Sequence, residues 1–226
     1  MRGMNRLDIV FASGLRKPLL LLLGAFLALS IMTSLPGASE YQQDINIEKE
    51  RVSKWRKERD AFFRTHQRSP LGLSEQKKFK GLDYFPFDPQ YYFEGQIKRE
   101  VLHINDPKYY ATFLTNKGTN KRYIRYGKFR FNLSGKDFEL EIYKSILSDT
   151  LFIPFKDLTN GKETYEGGRY IDAEILTGYR MVLDFNMAYD PSCAYNEKFV
   201  CAIPPKENLL NVAIKAGERN PKKEKP

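Results

Sequence analysis

Between Leu151 and Glu218 the sequence holds its densest set of residues able to do chemistry. The carboxylates Asp157, Glu163, Glu174, Asp184 and Glu207 stand there among Thr164, Tyr165, Arg169, Asn186 and Tyr189. Two facing carboxyl groups can serve as general acid and general base in a hydrolysis, which makes Asp157, Asp184 and Glu207 the catalytic candidates. Arg169 can grip a carboxylate or phosphate through its planar fork, and tyrosines supply rigid walls carrying hydroxyls. Thr164, Tyr165, Arg169, Asp184, Asn186 and Tyr189 therefore read as a pocket for a polar or anionic ligand. Gly167-Gly168 lets the backbone approach closely just before Arg169, so this arginine is expected to be at least partly buried. The same residues also read as an internal network, with Asp157 organising the Thr159 turn, Asp184 paired with Arg169, and Glu207 capping a loop.

Other chemistries are poorly supplied. There are two histidines, His66 and His103, and no HExxH, CxxC, GxSxG or glycine-rich phosphate loop. Cys193 and Cys201 lie eight residues apart without a nearby histidine, which does not suit zinc, so neither metal nor cofactor is expected. In an exported protein the two cysteines predict a disulfide closing a small loop, contributing roughly 2.5 kcal/mol through loop-closure entropy.

Export is what the N-terminus predicts. Arg16 and Lys17 precede an uncharged stretch from Pro18 to Ser39 that is strongly apolar over Leu19–Met32 and ends in Pro36-Gly37-Ala38-Ser39. This is the layout of a secretory signal, residues 1–38, and an uncleaved membrane anchor over residues 18–35 is the alternative. Either reading carries the following domain to the periplasm or beyond. The formal charge of +9 divides into +3 for residues 1–38, +3 for 219–226 and +3 for the body between them. A surplus of three spread over a domain is an ordinary solvated surface, so nucleic acid is not an expected partner. The membrane is a partner only through the N-terminal segment, if that is retained.

The elements that must position the candidates are mainly strands. Asp44–Gln67 carries Val52, Trp55, Phe62, Phe63 and His66 near helical spacing, and Ser69-Pro70 stops it. Its remaining basic residues read as a solvated face. A helical turn is expected over Ser74–Lys80, and Leu82–Phe93, rich in aromatics and cut by Pro86 and Pro89, reads as a packing loop. Strands are expected at Lys98–Asn105 and Arg122–Tyr126. Phe129–Leu133 and Phe138–Tyr143 alternate on either side of Ser134-Gly135-Lys136, which predicts a hairpin with Lys and Arg facing Glu. Further strand candidates are Leu151–Phe155, Thr164–Leu176, Tyr179–Asn186, Phe199–Ile203 and Leu209–Ala216. The predicted fold is mainly β, an antiparallel β-sandwich or barrel-like domain over residues 39–218 with an N-terminal amphipathic helix. Residues 219–226 are expected to form a disordered basic tail.

A series of spaced motifs adds a resemblance. Asp157-x-Thr159, Thr164-Tyr165-x-x-Gly168-Arg169-Tyr170, Asp184-Phe185-Asn186-x-Ala188-Tyr189 and Cys193-Ala194-Tyr195 come first. Cys201, Pro204-Pro205-x-Glu207-Asn208-x-Leu210 and Ala216-Gly217-Glu218 follow in order. With Trp55-Arg56, Ser69-Pro70-Leu71 and Phe79-x-Gly81-Leu82 upstream, the chain from Glu48 to Glu218 resembles DUF1684, a bacterial and archaeal family of unknown function. Ala202 departs from the proline usual after the second cysteine. The resemblance implies no activity. Three readings stay open: an exported binding module for a polar or anionic ligand, a histidine-free hydrolase using a carboxylate pair, and a structural envelope protein.

Overall fold

The computed structural model describes residues 36–221, with side chains from Gln43 onward. The expected leader, apart from its last three residues, and the end of the expected tail lie outside the described residues. Helix α1, Pro36–Thr65, starts earlier than its apolar spacing suggests. Ser69 ends it by donating from Oγ to the Phe63 carbonyl at 2.8 Å, ahead of buried Pro70. Val52 and Phe63 are its buried apolar anchors, and Phe63 packs edge-on against Tyr195 at 4.8 Å. Helix α2, Leu73–Lys78, is a single exposed turn whose Glu75 accepts from the Gly72 N–H at 2.7 Å. Among the described residues no helix is long and apolar enough to cross a membrane.

Eight strands follow: β1 Tyr92–Gln96, β2 Lys98–Arg99, β3 Tyr110–Leu114, β4 Asn120–Leu133, β5 Lys136–Lys144, β6 Leu151–Phe155, β7 Arg169–Ala173 and β8 Arg180–Asp184. Six of them form one sheet in the order β2-β4-β5-β6-β7, with β3 also on β4, while β1 and β8 form a two-stranded sheet. The pairings are antiparallel and the larger sheet does not close, so the barrel alternative gives way to open sheets. Ser134 and Gly135, with φ of 52° and 80°, make the turn that suits the twist of β4 and β5. The expected charge ladder is present: Arg130 pairs with Glu139 at 2.7 Å and Lys128 with Glu139 at 2.9 Å. Both sheets contribute to one apolar core, including Phe129, Leu140, Ile153, Ile171, Met181, Leu183 and Phe185.

Two expected strands do not form. Phe199–Ile203 makes one bridge, Thr115 with Ala202, and Leu209–Ala216 makes one parallel bridge, Lys156 with Leu209. Pro204 and Pro205 between them have no N–H to give a ladder. Asn208 ties this segment down instead, accepting from the Glu141 N–H at 2.7 Å and donating to the Glu141 and Pro154 carbonyls at 2.9 and 2.8 Å. The chain then runs back across the molecule. Glu218 N–H donates to Ala188 O at 2.8 Å, and Phe85 N–H donates to Gly217 O at 2.9 Å. The tail begins ordered rather than free, since the Arg219 and Asn220 N–H groups donate to Asp83 O and Glu163 O.

Gly217 sets this crossing. Its φ is +76°, and an added Cβ would fall 2.6 Å from Ala188 O and 2.7 Å from Phe185 O. Gly217→Ala is expected to lower the unfolding free energy by about 2–4 kcal/mol, from left-handed backbone strain plus overpacking. Urea unfolding monitored by fluorescence measures it. An unchanged midpoint would show that the segment yields.

Candidate functional site

Arg169 is an interior brace. It is fully buried and donates from Nη2 to Asp157 Oδ2 at 2.8 Å and to Ile214 O at 2.9 Å. Nη1 donates to Ala216 O and, at 3.3 Å, to Glu218 O. Asp157 Oδ1 accepts from the Thr159 N–H at 2.8 Å, the Thr159 hydroxyl at 2.6 Å and the Ile214 N–H at 3.2 Å. Thr164 closes the group, its hydroxyl 2.7 Å from that of Thr159. The expected ligand anchor thus meets chain carbonyls and Asp157, with no surface left for a ligand. A cation in this interior is tolerable only with such pairing.

Asp184 belongs to a second network. Its Oδ2 takes Arg51 Nη2 of α1 at 2.6 Å, and its Oδ1 takes the backbone and side-chain N–H groups of Asn186, both at 2.9 Å. Burial raises the Asp184 carboxyl above the usual range, while Asn186 and Arg51 oppose the rise. Asn186 holds the corner before β1 by accepting from Asp88 N–H and donating to Asp88 O, each at 2.9 Å. Tyr189 donates to Asp172 at 2.8 Å, and the Tyr165 hydroxyl lies 3.8 Å from Cys193 Sγ. Glu207 is exposed in the turn Lys206–Asn208. The predicted site residues therefore do not converge: Arg169, Asp157 and Thr164 form one cluster, and Asp184 and Asn186 another. The disulfide expected between Cys193 and Cys201 is absent; both are free thiols, with the Cys193 N–H donating to Cys201 Sγ at 3.3 Å.

What does converge lies under α1. Arg51, Arg56 and Arg59, read from sequence as part of a solvated face, turn toward the β body. Arg59 Nε pairs with Glu218 Oε2 at 2.9 Å, its Nη2 donates to Asp190 O at 3.1 Å, and its guanidinium stacks 4.5 Å from the Tyr189 ring centre. Burial works against the Arg59 charge and the Glu218 carboxylate outweighs it, so its pKa rises. Asp190 and Glu218 are 1% and 0% exposed, and both Asp190 carboxyl oxygens and Glu218 Oε1 lack a hydrogen-bond partner. Burial first, then the neighbouring Glu218 charge, lifts the Asp190 carboxyl to about 9. Both causes favour the neutral carboxyl.

Above this pair runs a groove of about 320 Å³ between α1 and the segment before β1, lined by Lys49, Ser53, Arg56, Lys57, Tyr84 and Phe87 among others. Arg56 lies 4.6 Å over the Tyr84 ring and donates to Asn186 O at 3.2 Å. Its Nε is buried without a partner, and so is the Tyr84 hydroxyl. Burial lowers the Arg56 pKa, with Tyr84 and Asp184 opposing; burial likewise pushes Tyr84 far up, helped by Glu218. Tyr84 thus joins the groove to the acids beneath it. A larger depression, about 570 Å³, lies on the β4–β5 hairpin, but the charges there are spent on cross-strand pairs such as Arg130–Glu139 and Asn132–Asp137.

The comparisons with known proteins follow this geometry. Residues 77–219 match the family described as "Protein of unknown function (DUF1684)", which covers well over half of the chain. The chain belongs to the DUF1684 family. It is also similar to the solution NMR structure of an uncharacterized protein from Haloarcula marismortui, at 33% identity and a TM-score of 0.61, over 78% of this chain and 96% of that one. No curated protein matches the chain in sequence. Tyr84, Asp184, Asn186, Asp190 and Glu218 fall within the DUF1684 match, while Arg51, Arg56 and Arg59 precede it. The sequence does contain a signal for the missed residues: Trp55-Arg56 and Ala216-Gly217-Glu218 are among the motifs that carry the resemblance, of which only the second lies within the matched residues. Nothing in their spacing, however, pairs a helix arginine with an acid some 160 residues later.

Proposed function

We propose that this DUF1684 protein is a binding module for a small anionic ligand, seated in the groove between α1 and the Leu82–Phe87 segment. The observation that carries this reading is the cationic lining of that groove, where Lys49, Arg56 and Lys57 stand against one acid, Asp60. A carboxylate or phosphate held there would meet this positive charge. Asp60, the acid in the lining, already accepts from the Leu82 N–H at 3.0 Å. The ligand class is the one read from sequence, moved from Arg169 to Arg56. The leader reading would put the module at the cell envelope.

The hydrolase alternative needs a carboxylate pair facing its substrate. Asp190 and Glu218 are such a pair chemically, yet both are buried away from solvent, which favours binding over hydrolysis. Titration calorimetry and thermal shift with sugar acids, dicarboxylates and inorganic phosphate test the proposal. At least one is expected to bind the wild type. Arg56→Lys is expected to weaken it about tenfold or more, since lysine keeps the charge but loses the planar fork. Equal affinity in wild type and variant, or no binding by any of these anions, would overturn it.

A further inference from the structure

The two cysteines lie apart from the groove. Cys193 sits in the single 3-10 turn Ser192–Ala194, and Cys201 follows Val200 in an extended segment. Separate hydrogen bonds hold each backbone. Ala194 N–H donates to Pro191 O at 2.8 Å, whereas Cys201 N–H donates to Asn116 Oδ1 at 2.8 Å and Asn116 N–H returns to Cys201 O at 3.1 Å. The two side chains face each other, both half-buried, with the Cys193 N–H on the Cys201 sulfur. The Tyr165 hydroxyl stands 3.8 Å from the other sulfur. An inert structural cysteine is packed among apolar atoms; this pair has donors at both sulfurs and access to solvent.

We infer that Cys193 and Cys201 form a redox-active dithiol that exchanges with small disulfides, Cys201 attacking and Cys193 resolving. The Cys201 thiolate bonds to one sulfur of a disulfide R–S–S–R, whose S–S bond breaks and releases R–S⁻. Cys193 then gives up its proton, and its sulfur bonds to Cys201 Sγ as the mixed disulfide breaks and the second R–S⁻ leaves. Two protein thiols are oxidised to one disulfide, the small disulfide is reduced to two thiols, and the two protein protons go to them. The surroundings assign the roles. The Cys193 thiol, then its backbone N–H and the Lys121 charge, holds Cys201 down to about 7 against burial. The neighbouring Cys201 sulfur and burial push Cys193 far above the ordinary thiol range, so it remains protonated until the second step. Tyr165, kept protonated by burial and by Cys193, is placed to donate to Cys193 Sγ as it ionises.

The test uses the full chain, reduced, with glutathione as the probe. Site-resolved alkylation by iodoacetamide is expected to modify Cys201 about tenfold or more faster than Cys193 at pH 7, with a midpoint near that pH. Oxidised glutathione is expected to remove two hydrogens from the wild type without leaving an adduct, excess reduced glutathione to restore them, and Cys193→Ser to trap glutathione on Cys201. Thiols that stay reduced in oxidised glutathione would overturn the inference. So would a bridge that reduced glutathione cannot open, which marks a structural disulfide, or faster alkylation at Cys193. If Cys193→Ser does not fold, alkylation of the wild type decides alone.

Discussion

Asp157→Asn is expected to lower the unfolding free energy by about 3–5 kcal/mol, because it removes the one carboxylate that the buried Arg169 guanidinium bonds directly. Against a domain stability of about 5–15 kcal/mol, that is enough to bring the protein near its unfolding threshold at ambient temperature. The geometry makes a sharper claim than the size alone. An isolated buried ion pair can often be exchanged for apolar residues at little net cost. Arg169 also serves the carbonyls of Ile214, Ala216 and Glu218. The double replacement Asp157→Leu with Arg169→Met is therefore expected to remain at least as unstable as Asp157→Asn, since those acceptors lose their donor. Guanidinium denaturation of the three proteins measures this. A double variant as stable as wild type would reduce Arg169 to a simple ion-pair partner.

The second large effect is on pH dependence. Asp190 has a folded value of about 9, against about 4 in an unfolded chain, so the folded state holds a proton that the unfolded state releases across that window. Its contribution is intact below about pH 4 and is lost as pH rises toward 9, with a slope of at most about 1.4 kcal/mol per pH unit. Glu218, itself raised by burial, belongs to the same pair, with Arg59 countering. Asp190→Asn imitates the neutral acid and cannot ionise. It is expected to flatten the decline and to be the more stable protein at pH 8 by about 1–3 kcal/mol. Urea titrations from pH 5 to pH 9 decide it. Parallel curves for the two proteins would mean that Asp190 carries no proton.

Elements whose signal is local were legible in the sequence. The β4–β5 hairpin shows because its alternation and turn residues lie within fifteen positions, and α1 shows because Val52 and Phe63 recur at helical spacing. Arg169 shows as buried through Gly167-Gly168, yet its partner lies elsewhere than the apparent polar cluster suggests. Asp157 reaches it, with Thr164 joined only through Thr159, whereas Asp184 and Asn186 are taken by α1 and by the Asp88 corner. The arginines of α1 were misread because a basic stripe looks the same whether it meets water or a buried acid. Leu209–Ala216 looks like a strand, but its partners are a guanidinium, an asparagine and single bridges, which no alternation pattern encodes.

The fastening of α1 also bears on how the chain acquires its fold. Arg51 reaches Asp184 across 133 residues, and Arg59 reaches Glu218 across 159. At about 5–20 residues per second, a ribosome needs roughly 8–32 seconds to travel from Arg59 to Glu218. The helix made first is the one secured last. For most of that interval Phe63 lacks Tyr195, and Arg169 waits for carbonyls still unsynthesised. Contacts this remote in sequence also close slowly, since the entropy of the long loop is lost before they form. The helix is thus fastened only after Glu218 has been made, and a holdase that covers the α1 apolar face suits the wait.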